Sequence, residues 1–455
     1  MRMLVGRFSR GLAFGALALA LAQAPARAET LADALIAAYR NSNLLDQNRA
    51  LLRAADEDVA SAVAALRPVV SFIAQSSYTE PSMADNLSAS VSLSAEMTLY
   101  DFGRSRMAVD IAKETVLATR EGLVGVEQGV LLDAVRAFMD VRSAVENVAI
   151  NRNSVRVIGE ELRAAEDRFS VGEVTRTDVA LAEARLAAAR AGLAAAEGDL
   201  AAAREAYRAA TGRYPGTLAA PPAPPALPAT LDAARSIAQS THPSIAQAQR
   251  QVTVAELQVV QAAAQRGPTL TGSASLTVDD NGNDQSQIGL RLTQPVYRGG
   301  GLSAAHRKAI AGRDAARSGL LQAGVGIAQQ VGDAWARIAV ARAQITAVDR
   351  QVEAATVAYN GVKEEAALGS RTTLDVLDAE QELLDAQASR IDAEASLQVA
   401  IYSLLSAMGL LTADHLKLGI ATYDPRAYYD AVKSAPLTSV QGERLDRVLR
   451  AIGKE

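Results

Sequence analysis

The chain has 455 residues, 46 Lys and Arg against 51 Asp and Glu, no cysteine and 4% aromatic residues. The missing cysteine excludes disulfides, thiolate metal sites and a lipid anchor on an N-terminal cysteine, and the acidic balance does not suit nucleic acid. So few large side chains poorly equip a compact core of this length, whereas abundant alanine suits long helices packed at close range.

Residues 1–28 read as a secretory signal peptide. Arg2, Arg7 and Arg10 flank the apolar stretch Gly11 to Leu21, and Ala26-Arg27-Ala28 is a small-x-small cleavage site that leaves Glu29 as the first mature residue. The stretch is too short to cross a bilayer, which takes about 20 residues. No later segment is long and apolar enough for a membrane helix, so contact with lipid falls to strands or to an interfacial helix.

The remainder is written twice. Leu31, Ala34 and Pro68 match Leu231, Ala234 and Pro268 at an offset of 200. Tyr100, Gly103, Gly172, Asp178, Glu183 and Gly212 match Tyr297, Gly300, Gly369, Asp375, Glu380 and Gly409 at an offset of 197. One deletion between Pro268 and Tyr297 reconciles the two sets, which marks a duplicated architecture. The first repeat spans 29–214 and the second 231–420; the Pro-rich run 215–230 is an extended linker, and 421–455 is a peripheral tail.

Each repeat reads as helix, two strands, a very long helix, a break and a second long helix. A helical pattern over 44–66 stops at Pro68. Strands are expected at about 68–80 and 87–100, then at about 268–279 and 285–297. Leu87, Ala89, Val91, Leu93, Ala95, Met97 and Leu99 alternate strictly with Ser88, Ser90, Ser92, Ser94, Glu96 and Thr98, giving one apolar and one polar face. The partner strand is joined through Glu80 to Asn86, and the second pair by the polar hairpin Asp279 to Asp284. Long proline-free helices are expected at about 103–169 and 175–211, and again at about 302–368 and 373–409.

Strands of this length fit a tilted bilayer crossing, and apolar-out with polar-in is the pattern of a membrane barrel. Four strands cannot close a roomy barrel, since small closed barrels start at about eight, and an open edge in lipid leaves backbone groups unpaired. The strands must therefore be completed by other copies of the chain, three of which would give twelve, in a mixed membrane protein whose sheet is continuous with a long α-helical barrel. The competing reading is a soluble periplasmic coiled-coil scaffold without a pore, because charged residues such as Glu183 and Arg185 also suit a solvated helix face.

No catalytic, cofactor or metal site is expected. His242, His306 and His415 lack metal spacing, and His242 precedes Pro243 at a helix entrance where a capping role suits it. The Asp279 to Asp284 run lacks the later glutamate of a calcium loop, and Gly299-Gly300-Gly301 lacks the Lys-Ser/Thr of a phosphate loop.

Leu99-Tyr100-Asp101-Phe102-Gly103-Arg104 and Pro295-Val296-Tyr297-Arg298-Gly299-Gly300 sit at the two strand-to-helix junctions. Arg168-Phe169-Ser170-Val171-Gly172 with Thr177-Asp178-Val179, and the run Leu368 to Ala379, sit at the two helical breaks. In these motifs, and in their order, the chain from Leu31 to about Leu410 resembles the TolC family of outer-membrane channel proteins. The resemblance implies a homotrimer in outer-membrane lipid that extends into the periplasm. It also implies a periplasmic adaptor and an inner-membrane transporter as partners, and export of secreted protein or small toxic solutes. It assigns Gly103 and Gly300 to the junction turn, and Asp178 with Arg371, beside Thr177, to a periplasmic gate. Asp375 and Asp378 fall to an acidic ring at the lumen constriction. Ala366 stands where the family's gate carries a tyrosine.

Overall fold

A computed structural model describes residues 28–78, 87–436 and 440–451. The expected signal peptide up to residue 27, the loop Glu80 to Asn86 and residues 452–455 lie outside the described residues.

Each repeat opens with two helices where the sequence pattern gave one. Thr30 and Asp33 form a capping box that starts α1 (Leu31–Asn41), and the Ser42 side chain caps α2 (Asn43–Ala64). The counterparts are α5 (Leu231–Thr241) and α6 (Pro243–Ala264). Here His242 is the cap, its Nδ1 accepting the Ser244 N–H at 3.1 Å. A cap with its own extended backbone breaks an otherwise continuous amphipathic run.

The strands are β1 (Val69–Tyr78), β2 (Leu87–Tyr100), β3 (Thr269–Asp279) and β4 (Asp284–Thr293). They form one antiparallel sheet in the order β1-β2-β3-β4, so the central β2–β3 pairing joins the two repeats. β4 stops short of residue 297 because Pro295 has no N–H to give a ladder.

From the sheet run α3 (Arg104–Ser170) and α7 (Gly301–Ala367), each of 67 residues and roughly 100 Å long at 1.5 Å per residue. They return as α4 (Arg176–Thr211) and α8 (Thr373–Ala407). The α3/α4 and α7/α8 pairs coil together; α3 also touches α2, α6 and α8, whereas α7 touches α5 and α6. The main core lies where these elements cross, around Leu131, Phe138, Met139, Tyr207, Ile401, Leu405 and Met408. Glu29 ties the chain start to the linker. Its N–H donates to the Thr217 carbonyl at 2.8 Å, and its carboxylate accepts from Tyr207 Oη at 2.7 Å and Arg213 at 2.6 Å. The tail is partly helical, with α9 (Pro425–Val432) and α10 (Val440–Ala451).

Candidate functional site

The first functional surface is the sheet. Directly paired residues share a face, so the register places Phe72, Leu93 and Leu276 side by side, followed across β3 by Ile288 opposite Ala274 and Leu290 opposite Gly272. Among the described residues nothing covers this face: Ile288 is 88% exposed, Leu290 73% and Phe72 71%. A contiguous apolar face of this kind is costly in water and at home in hydrocarbon. The other face carries Ser71, Gln75, Ser90, Ser94, Glu96, Thr271, Ser275, Gln287 and Arg291. The outer strands β1 and β4 end the sheet with unpaired edges.

At the helix end of the sheet, Gly103 and Gly300 cap α3 and α7 with φ of 82° each, a left-handed conformation that glycine adopts without strain. Beside Gly103, the Asp101 carboxylate accepts the N–H groups of Gly103 at 3.1 Å and Ser105 at 2.7 Å. Arg298 occupies the matching place in the second repeat, where the turn closes through the backbone bond Gly301 N–H to Arg298 O at 3.0 Å. The Tyr100 and Phe102 rings meet edge-on at 6.3 Å, and Phe102 packs on Gly267, where a Cβ would fall 2.5 Å from its ring. Tyr100, Phe102 and Tyr297 are exposed here, as aromatic side chains are at a membrane–water boundary.

The second surface is the pair of turns at the far end of the long helices. Thr175 and Asp178 form a capping box: Asp178 Oδ2 accepts Thr175 N–H and Oγ1–H, each at 2.8 Å, and the Asp178 N–H reaches Thr175 Oγ1 at 3.3 Å. Thr372 and Asp375 repeat it at 2.9, 2.8 and 3.3 Å. Bonds from Thr175 hold the Asp178 carboxyl below the usual carboxylate range, and bonds from Thr372 do the same for Asp375, with Arg371 adding to the effect. Thr177 is exposed in the first turn of α4, next to the box and not part of it. Arg371 Nε donates to Glu365 at 2.8 Å, and among the described residues no ion pair joins Arg371 to Asp178 within the chain. Asp378 lies one turn from Asp375 on α8 and accepts from Arg185 of α4 at 2.5 Å. Ala366 is buried at the end of α7.

Four contacts here escaped the sequence reading. Thr175 and Thr372 had a legible signal, since T-x-x-D before a helix marks a capping box. Arg185–Asp378 and Lys363–Glu161, the latter at 3.3 Å between α7 and α3, had none, because each joins helices far apart in sequence.

Comparison with known proteins identifies the family. The model of the outer membrane efflux protein family matches residues 17–213 and again 234–410, so it covers each repeat. The chain is 35% identical over 416 residues to the outer membrane efflux protein BepC of Brucella suis, covering 90% of this chain and 91% of that protein. It is 26% identical to the outer membrane protein TolC of Vibrio cholerae, covering 85% and 92%. The solved outer membrane protein VceC of Vibrio cholerae superposes with a TM-score of 0.71 at 21% identity, covering 83% of this chain and 96% of that one. The chain belongs to the outer membrane efflux protein family, whose members are outer-membrane channels extending into the periplasm and not enzymes.

Proposed function

We propose that three copies close into a ring, with a twelve-stranded barrel in the outer membrane and a helical tube in the periplasm, that serves as the exit duct of a tripartite export system. The observation that carries this is the internal repeat. Within the chain β2 pairs with β3, and α3 packs on α6. Repeating those contacts once more sets β4 of one copy against β1 of the next, and α7 against the next α2. That satisfies both open edges, as lipid requires, and covers the bare side of α7. A soluble scaffold leaves Ile288 and Leu290 without a reason to be bare.

TolC-family channels act with adaptor proteins and inner-membrane transporters, and the turns at the far ends of the long helices are the surface this chain offers to them. Its cargo is secreted protein or small toxic solutes. In the closed ring, Arg371 reaches Asp178 of a neighbouring copy, and Asp375 with Asp378 lines the constriction, Arg185 offsetting part of the charge of Asp378. Converging carboxylates favour cations over anions.

Planar-bilayer recording of the detergent-purified protein tests the assembly and the gate together. The native protein conducts with cation preference, Arg371→Ala raises single-channel conductance severalfold, and Asp375→Asn with Asp378→Asn weakens the preference. A monomer that never conducts overturns the duct; a conducting native protein whose Arg371→Ala variant is unchanged overturns only the gate.

A further inference from the structure

The two repeats carry the same ion pair in two different states. On α6 and α7, Glu256 and Arg317 meet directly at 2.6 Å, both half-exposed. Their counterparts on α2 and α3, Asp56 and Arg120, stand 3.9 Å apart, and Asp56 is fully buried. Both Asp56 oxygens, Nε and Nη2 of Arg120, and the Tyr423 hydroxyl are buried without a hydrogen-bond partner. Such groups are expensive to hold, so something else keeps Arg120 from its carboxylate.

That something is the segment after the second repeat, which has no equivalent after the first. It crosses α2 and α3 as a strap. The Tyr429 ring lies under the Arg120 guanidinium at 5.1 Å, and Tyr423 under Arg49 at 5.4 Å. The Tyr423 N–H donates to Tyr39 Oη at 3.0 Å, and Tyr428 Oη donates to Glu57 at 2.7 Å. Arg67 donates to the carbonyl of Ala435 at 2.6 Å and to that of Ser434. Tyr423 and Tyr429 also cover the apolar cluster of Leu52, Val59 and Val116.

We propose that residues 421–435 form a proton-sensitive latch: docked, the strap holds Arg120 by cation–π contact over a protonated Asp56, and released, it lets Asp56 and Arg120 close into the direct pair that Glu256 and Arg317 display. The charged and titratable groups that act on Asp56 are Glu57 on its own helix, Arg120 on α3 and Tyr423 on the strap; Arg49 and Arg53 act on Tyr423, and Tyr429 and Asp430 act on Arg120, with Lys433 beside both. Burial raises the Asp56 carboxyl from 3.8 to about 6, Arg120 opposing the shift and Glu57 adding to it. The docked state therefore binds the proton more tightly than the released one. Its advantage is lost as pH rises towards about 6 and is constant above that, and pairing with Arg120 in the released state puts the lower end of the window below the ordinary 3.8.

Hydrogen exchange of the full-length protein in detergent, followed over peptides within 421–435 and corrected for intrinsic rates, tests this. Protection of the native strap falls on the order of tenfold between about pH 4.5 and 6.5, then levels. Asp56→Asn holds the strap protected at every pH, while Glu256→Gln in the second repeat leaves the native slope in place. Should Asp56→Asn fail to fold, Tyr429→Leu decides, since it removes the ring and keeps the carboxylate: its strap is unprotected throughout. A flat native profile, a native slope in Asp56→Asn, or native protection in Tyr429→Leu overturns the latch.

Discussion

Helices α3 and α7 occupy matching places in the two repeats and have the same length, yet their surroundings differ. Buried residues on α3 start at Val109 and continue to Ala165, whereas α7 has none before Ile327. Phe138 is fully buried; Trp335, its counterpart, is half-buried against the proline linker. Gln128 is 3% exposed, while its counterpart Val325 is 63% exposed and nearby Leu321 73%. A buried glutamine matched by a bare valine inverts what a solitary chain would do. It makes sense when α3 finds its neighbours within the chain and α7 finds one in the next copy. Under the proposed ring the duplication supplies the rule for assembly: what repeat one does to repeat two, repeat two does to the following subunit.

The strongest way to break this comparison is to charge the bare side. Leu321→Asp with Val325→Asp touches no buried residue of the chain, so it leaves the monomer folded by circular dichroism and abolishes the oligomer in detergent by light scattering. An intact oligomer in that double variant removes the assigned role of α7. Next in size is the core difference. Phe138→Ala removes a fully enclosed ring and costs about 3–5 kcal/mol, while Trp335→Ala costs less than half as much. Urea melts of both changes in the assembly-deficient background compare them without the subunit interface. Equal costs mean that Trp335 is buried in the chain as deeply as Phe138.

The parts of the fold that were legible were those encoded by period and punctuation. Alternation from Leu87 to Leu99 writes β2, and paired glycines at 103 and 300, then 172 and 369, mark the junctions and turns at positive φ. The split of the entry helix was hidden at Ser42, where apolar spacing continues across the cap, but was marked in the second repeat by His242 before Pro243. The tail was opaque for another reason. Tyr423 and Tyr429 acquire meaning only through Arg49 and Arg120, hundreds of residues earlier, and no local pattern records a cation–π partner. The same holds for the proposed gate residues: sequence places Asp178 and Asp375 at equivalent positions, but within the chain their first partners are the local threonines, and Arg371 donates to Glu365.

The finest test compares the two capping boxes. Both carboxyls are held below the ordinary carboxylate range, so each box is fully formed at and above that range and is lost only as pH falls below it. Arg371 adds to the lowering of Asp375, whereas bonds from Thr175 carry that of Asp178, so in the monomer Arg371→Ala moves the acid opening of the Thr372 box to higher pH and leaves the Thr175 box where it is. Thr175→Ala and Thr372→Ala each speed exchange at the first-turn amides by about fivefold at neutral pH, the weight of one N-cap. In the proposed ring, Arg371 of a neighbouring copy at Asp178 would move the acid opening of the Thr175 box to lower pH on assembly, and Arg371→Ala would remove that shift. A ring that keeps the monomer's gap between the two midpoints places Arg371 away from Asp178, and confines its charge to the turn that carries it.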